Sequence, residues 1–125
     1  MSLGHDMVLI ADDDENQRRA LGKILSRSGY VVSLVANGED ALRIFEEKDC
    51  MFDLIITDFC MPIEGDGLKL LHNIRKLSDV PMVLVTGSSV GEVEYEKLQS
   101  FFNDLAAKPV SSERLVAIVN ELIVR

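Results

Sequence analysis

Short apolar runs alternate with longer amphipathic stretches along the chain. Met7 to Ala11, Val31 to Val35, Asp53 to Thr57, Met82 to Thr86 and Leu105 to Ala107 each read as a brief strand. Most are continuously apolar and rich in Val and Ile, the pattern of parallel strands covered on both faces. Between them lie helical periods. Leu21, Ile24, Leu25 and Ser28 follow one stripe, which Gly29 is placed to end. Ala41, Leu42 and Phe45 form a second stripe after the turn signal Asn37-Gly38. Leu70, Leu71, Ile74 and Leu77 form a third. The last is the clearest: Leu115, Ile118, Val119, Leu122 and Ile123, with Ser111 or Ser112 as cap. The apolar residues of Val90 to Ser100 hold no clean period, so a marginal helix is expected there. Five strands alternating with five helices predict an α/β layer fold with right-handed crossovers. In such a sheet, ligands bind beyond the carboxyl ends of the strands.

The residues that end the strands therefore matter most. The first strand ends in Asp12-Asp13-Asp14, the third in Asp58, the fourth in Thr86 and the fifth in Lys108-Pro109. Singly, each has an ordinary explanation. Asp14 with Gln17 fits a capping box, and for Asp12 and Asp13 helix capping and metal binding weigh equally. A Thr at a strand end is commonly a good strand residue, and a lone Lys is commonly a solvated surface group. Together they change the weighing, because all four ends fall on one edge of the sheet. Carboxylates gathered about 4 Å apart repel by roughly 4 kcal/mol per pair at an effective dielectric of about 20. Either some are protonated or a hard cation sits among them, and magnesium suits carboxylate, carbonyl, water and phosphate oxygens. With that charge offset, Asp58 is a candidate nucleophile for an acyl phosphate. Thr86 would hydrogen-bond one phosphoryl oxygen and Lys108 would pair with another.

Composition sets the limits. The 125 residues form one domain of 13.9 kDa, 47% hydrophobic and 27% charged, which is globular. Area scaling gives about 6,700 Å² of folded surface, roughly a third of the extended chain's, so no disulfide or structural metal is required. Thirteen basic against 21 acidic residues leave a net charge of −8, which disfavours direct binding to nucleic acid or an anionic membrane. No apolar run approaches the roughly 18 residues of a membrane span. Cys50 and Cys60 suit neither a disulfide framework nor a zinc site, and a reducing cytoplasm is expected. Residues 1–6 are expected to be a leader without signal-peptide character, and residues 7–125 the folded domain.

These residues and motifs, taken as a set, resemble the response-regulator receiver domains of two-component signalling. The set is Asp12-Asp13, the run Asp53-Leu54-Ile55-Ile56-Thr57-Asp58 followed by Met61-Pro62, Gly67 opening the next helix, Thr86, and Lys108-Pro109. The resemblance covers about Met7 to Val124. It implies a single flavodoxin-like, doubly wound domain with a parallel sheet in the order 2-1-3-4-5. It implies a phosphoryl group passed to Asp58 from a histidine kinase or histidine phosphotransfer protein, with Thr86 and Lys108 assisting. Asp13, Asp58 and the backbone carbonyl of Cys60 would bind magnesium directly, and Asp12 would reach it through water. A domain of this kind catalyses only its own phosphotransfer and slow dephosphorylation. It works alone, as a homodimer, or with an effector domain in a longer chain, and no membrane contact is expected.

Three departures stand out. The loop from Pro62 to Gly67 is one residue longer than usual, Phe101-Phe102 replaces a common Gly-Ala, and Leu105 replaces an aromatic switch residue. One of the two Phe rings is expected in the core, and the other, partly exposed, as a docking or dimerisation anchor. The Lys108-Pro109 bond is expected to be cis. His5 and His72 are expected to have no phosphodonor role. A haloacid-dehalogenase-type phosphatase is disfavoured because its second Asp would fall at Cys60, and a flavodoxin because three aspartates would repel the flavin phosphate. A third rival is a non-phosphorylated docking domain, against which the complete residue set argues.

Overall fold

The computed structural model describes residues 6–49, 51–59, 66–87, 99 and 102–123. Five strands, β1 (Met7–Ala11), β2 (Val31–Val35), β3 (Leu54–Asp58), β4 (Met82–Thr86) and β5 (Asp104–Ala107), form one parallel sheet in the order β2-β1-β3-β4-β5. Four helices lie among the described residues: α1 (Glu15–Arg27), α2 (Gly38–Glu47), α3 (Asp66–Arg75) and α4 (Ser112–Leu122). The expected helix within Val90 to Ser100 falls, apart from Gln99, outside the described residues, as do Phe101, Cys50 and Cys60.

Strand parity explains the continuous apolar runs. Val8, Ile10, Leu54, Ile56, Val83 and Val85 pack with Leu21 and Leu25 of α1 and with Leu115, Ile118 and Val119 of α4. Their neighbours Leu9, Ala11, Ile55, Met82 and Leu84 point the other way, against Ala41 and Phe45 of α2 and Leu70, Leu71 and Ile74 of α3. Alternate residues serve the two cores, so the central strands are apolar until their carboxyl ends, where Thr57, Asp58 and Thr86 are buried. Phe102 is buried in the second of these cores, as expected for one ring of the pair. The Phe45 and Phe52 rings stack there with centroids 6.1 Å apart.

Helix ends follow their signals. Asp14 caps α1 through Gln17 N–H, and Ser111, not Ser112, caps α4 through Arg114 N–H. Gly29 ends the α1 turn at φ +96°, a conformation that a Cβ would disfavour.

Several expectations need correction. Ser28 is the exposed C-cap of α1, with its hydroxyl donating to the Ile24 carbonyl, so it is no part of the buried stripe. Leu77 lies beyond the end of α3 and is 48% exposed. Asp53 precedes β3: its carboxylate accepts from Met7 N–H at 2.7 Å, and its own N–H donates to the Met7 carbonyl. The strand instead runs on to include Asp58. β5 begins at Asp104. On β2, Val31 and Leu34 are exposed, because an edge strand is not covered as a central one is.

Candidate functional site

The strand order reverses between β1 and β3, and the carboxyl ends of these two strands carry the acidic residues. Asp12 leaves β1 buried, with its N–H donating to the Val35 carbonyl of β2. Its Oδ1 accepts from Asp14 N–H at 2.9 Å, and Arg18 Nη1 donates to its carbonyl at 2.9 Å. Capping therefore falls to Asp14, and neither Asp12 nor Asp13 caps a helix. Asp13 is exposed.

Asp58 ends β3 and is 6% exposed. Gly67 explains how tightly its backbone is held. A Cβ at position 67 would lie 2.2 Å from the Asp58 carbonyl oxygen and 2.8 Å from Phe59 Cα. Only a residue without a side chain lets α3 start against the end of β3, and Gly67 N–H also donates to the Phe59 carbonyl. Sequence reading marked Gly67 as a helix opener without this reason.

Asp12, Asp13 and Asp58 each offer a carboxylate oxygen, and these oxygens lie within 4.8 Å of one another. Lys108, at the end of β5, reaches across: Nζ donates to Asp58 Oδ2 at 2.7 Å and lies 3.6 Å from Asp12 Oδ2. Its backbone N–H donates to the Thr86 carbonyl at 2.8 Å, and the Lys108-Pro109 bond is cis, as expected. Thr86 is buried at the end of β4, one residue beyond Val85, the register partner of Asp58. Cys60, the expected carbonyl ligand, and Met61-Pro62 lie outside the described residues. His72 is exposed in the last turn of α3.

The charges are not balanced. Burial raises the Asp12 pKa above its ordinary value, and the fields of Asp58 and Asp13 add to this, against the Asp14 N–H and Lys108, which lower it. Burial acts against the Lys108 ammonium, but its hydrogen bond to Asp58 and the fields of Asp12 and Asp58 outweigh it and raise the pKa. Two buried carboxylates at up to 4.8 Å repel by about 3–4 kcal/mol at an effective dielectric of about 20. One ammonium offsets part of the charge of three carboxylates. A hard divalent cation fits this all-oxygen donor set. Arg18 is a brace that sequence reading missed, since nothing in the local pattern announces a side chain reaching back six residues.

The chain matches the response regulator receiver domain family over residues 8–120. It is 36% identical over 118 residues to a probable transcriptional regulator, ycf27, of Cyanidium caldarium, covering 94% of this chain and 46% of that protein. It is 31% identical over 117 residues to an uncharacterized 14.6 kDa protein of Leptolyngbya boryana, covering 91% of this chain and 87% of that one. A CheY-like response regulator receiver domain protein from Methanospirillum hungatei superposes with a TM-score of 0.87 at 26% identity, covering 96% of this chain and 94% of that one. The chain thus spans about half the length of the Cyanidium relative. Among the described residues, no helix is long and apolar enough to cross a membrane.

Proposed function

Because the chain belongs to the response-regulator receiver family, we propose that Asp58 is its phosphoryl acceptor and that a phosphohistidine on a partner protein is the donor. The reading is carried by one observation: a buried carboxylate at the carboxyl edge of the sheet, hydrogen-bonded by Lys108 at 2.7 Å within a cluster of two further aspartates. An Asp58 carboxylate oxygen attacks phosphorus, the phosphorus–nitrogen bond breaks, and its electron pair returns to the imidazole. The product is an acyl phosphate, which water later hydrolyses.

Each side chain has a task. Lys108 holds the nucleophile in the resting state and then pairs with a phosphoryl oxygen, for which its raised pKa keeps it charged. Thr86 donates its hydroxyl to a second phosphoryl oxygen. Asp12, Asp13 and Asp58 would hold magnesium, with the Cys60 carbonyl as a further ligand. When bound, the metal supplies the positive charge that lets an anionic phosphoryl group approach three carboxylates. Phosphorylation changes the surface read by a downstream segment or a second copy of the chain. Since the Cyanidium relative is named a transcriptional regulator, the output we favour is control of a DNA-binding effector segment.

Incubation with magnesium and acetyl phosphate should add one phosphoryl group, and Asp58→Asn should abolish the addition. Full labelling of that variant, or none of the parent chain, would overturn the reading. The second result would leave a docking domain.

A further inference from the structure

β5 has few means of choosing its own register. It has four residues, Asp104-Leu105-Ala106-Ala107, lies at the edge of the sheet, and buries only Ala106 fully. Ala and Asp are poor strand formers, and a small apolar pattern specifies register weakly. Yet a slip of one residue would move Lys108 by about 3.3 Å, more than its hydrogen bond to Asp58 would survive.

At the opposite end of the sheet from the aspartates, a second set of contacts fixes the strand. Asn103 N–H donates to the Met82 carbonyl at 2.7 Å, and Asn103 Oδ1 accepts from Met82 N–H at 2.9 Å. The side-chain amide thus extends the β4–β5 ladder one step before β5 begins. Arg75, at the end of α3, secures the amide: Nη2 donates to Asn103 Oδ1 at 3.3 Å, while Nη1 donates to the carbonyls of Val80 at 2.6 Å and Ser78 at 3.3 Å. One guanidinium ties together the end of α3, the start of β4 and the start of β5. A further contact at that end, Arg114 to Asp104 at 3.6 Å, is half-exposed and weak.

We propose that Asn103, held by Arg75, is a positioning residue that sets the β5 register and so the placement of the Lys108 ammonium on Asp58. The consequence for phosphorylation rests on the reading of Lys108 given above. Asn103 is exposed, so its truncation removes little packing.

The test compares Asn103→Ala, Asn103→Asp, which keeps the oxygen acceptor, and Tyr30→Phe, which removes the Tyr30–Asn120 hydrogen bond elsewhere as a stability control. The readouts are the side-chain ¹⁵Nζ signal of Lys108 without phosphodonor, and the rate of labelling by acetyl phosphate with magnesium. Asn103→Ala should broaden or shift the Lys108 signal and slow labelling about tenfold; Asn103→Asp should restore both, and Tyr30→Phe should change neither. If Asn103→Ala does not fold, Arg75→Lys, which gives up the second arm of the guanidinium, should show the same pattern more weakly. An altered Lys108 signal with unchanged labelling would support the positioning role and refute the phosphoryl-binding role of Lys108. An unchanged Lys108 signal in a folded Asn103→Ala chain, or in a folded Arg75→Lys chain where it stands in, overturns the proposal.

Discussion

β3 and β5 present the two halves of the Asp58–Lys108 pair and are built in opposite ways. β3 is central, buried along its whole length and hydrogen-bonded on both sides. Its last residue is fixed further by the backbone approach of Gly67. β5 is short, lies at the edge, and depends on contacts at its two ends. The difference lies in how firmly the backbone behind each partner is held. A firmly held carboxylate suits the nucleophile proposed here, which must meet phosphorus in line. The proposed step, in which the ammonium leaves the carboxylate for a phosphoryl oxygen, asks for movement of Lys108, which stands at the end of the less enclosed strand.

The strongest way to break the comparison is at its rigid side. Gly67→Ala forces a Cβ into the Asp58 backbone and should lower the unfolding free energy by more than about 3 kcal/mol, with labelling lost in whatever remains folded. Urea unfolding measures the first effect. A near-neutral result would mean that the end of β3 is not held as described.

On the less enclosed side, Lys108→Ala should leave the fold intact and slow acetyl-phosphate labelling by about 10²-fold. Magnesium should bind more tightly, because the ammonium no longer competes for the carboxylates; calorimetry decides this, and weaker binding would contradict it.

A smaller effect sharpens the electrostatic side. Asp12→Asn removes a buried like charge and should raise metal-free stability by about 1 kcal/mol near neutral pH. Between the ordinary value of 3.8 and the higher folded pKa, native Asp12 keeps a proton that the unfolded chain has released. Stability from this group therefore falls as pH rises through that window, and the penalty persists above it. The variant should lose this slope. Lys108, whose pKa is likewise raised, acts in the same sense at higher pH: its contribution is present below the ordinary value of 10.5 and fades as pH rises through the higher folded value. The smallest effect belongs to Gly22→Ala, whose Cβ would meet only the side chain of Leu34 at 3.0 Å. Thermal melts should show a change within about 0.5 kcal/mol.

Much of this is legible in the sequence, for a topological reason. A parallel sheet brings the carboxyl ends of all its strands to one edge, so Asp12, Asp58, Thr86 and Lys108 share that edge once the strands are recognised. What stayed hidden depends on approaches between distant backbones and side chains. The capping box marks Asp14, but no local pattern announces that Asp12 folds its carboxylate back onto Asp14 N–H. The partnership of Arg75 with Asn103 spans 28 positions and has no period. Leu77 and Ser28 satisfied the helical spacing and failed because the helices had already ended. β2 reads like its neighbours, and only its place at the edge leaves Val31 and Leu34 exposed.

The central claim, that the fixed carboxylate is the acceptor, has a direct chemical readout. Borohydride reduces an aspartyl phosphate to homoserine, which peptide mass spectrometry locates by residue. After treatment with magnesium and acetyl phosphate, homoserine should stand at position 58 and nowhere else, and Asp58→Asn should give none. Homoserine at position 12 or 13, or undiminished trapping in the variant, would contradict the account.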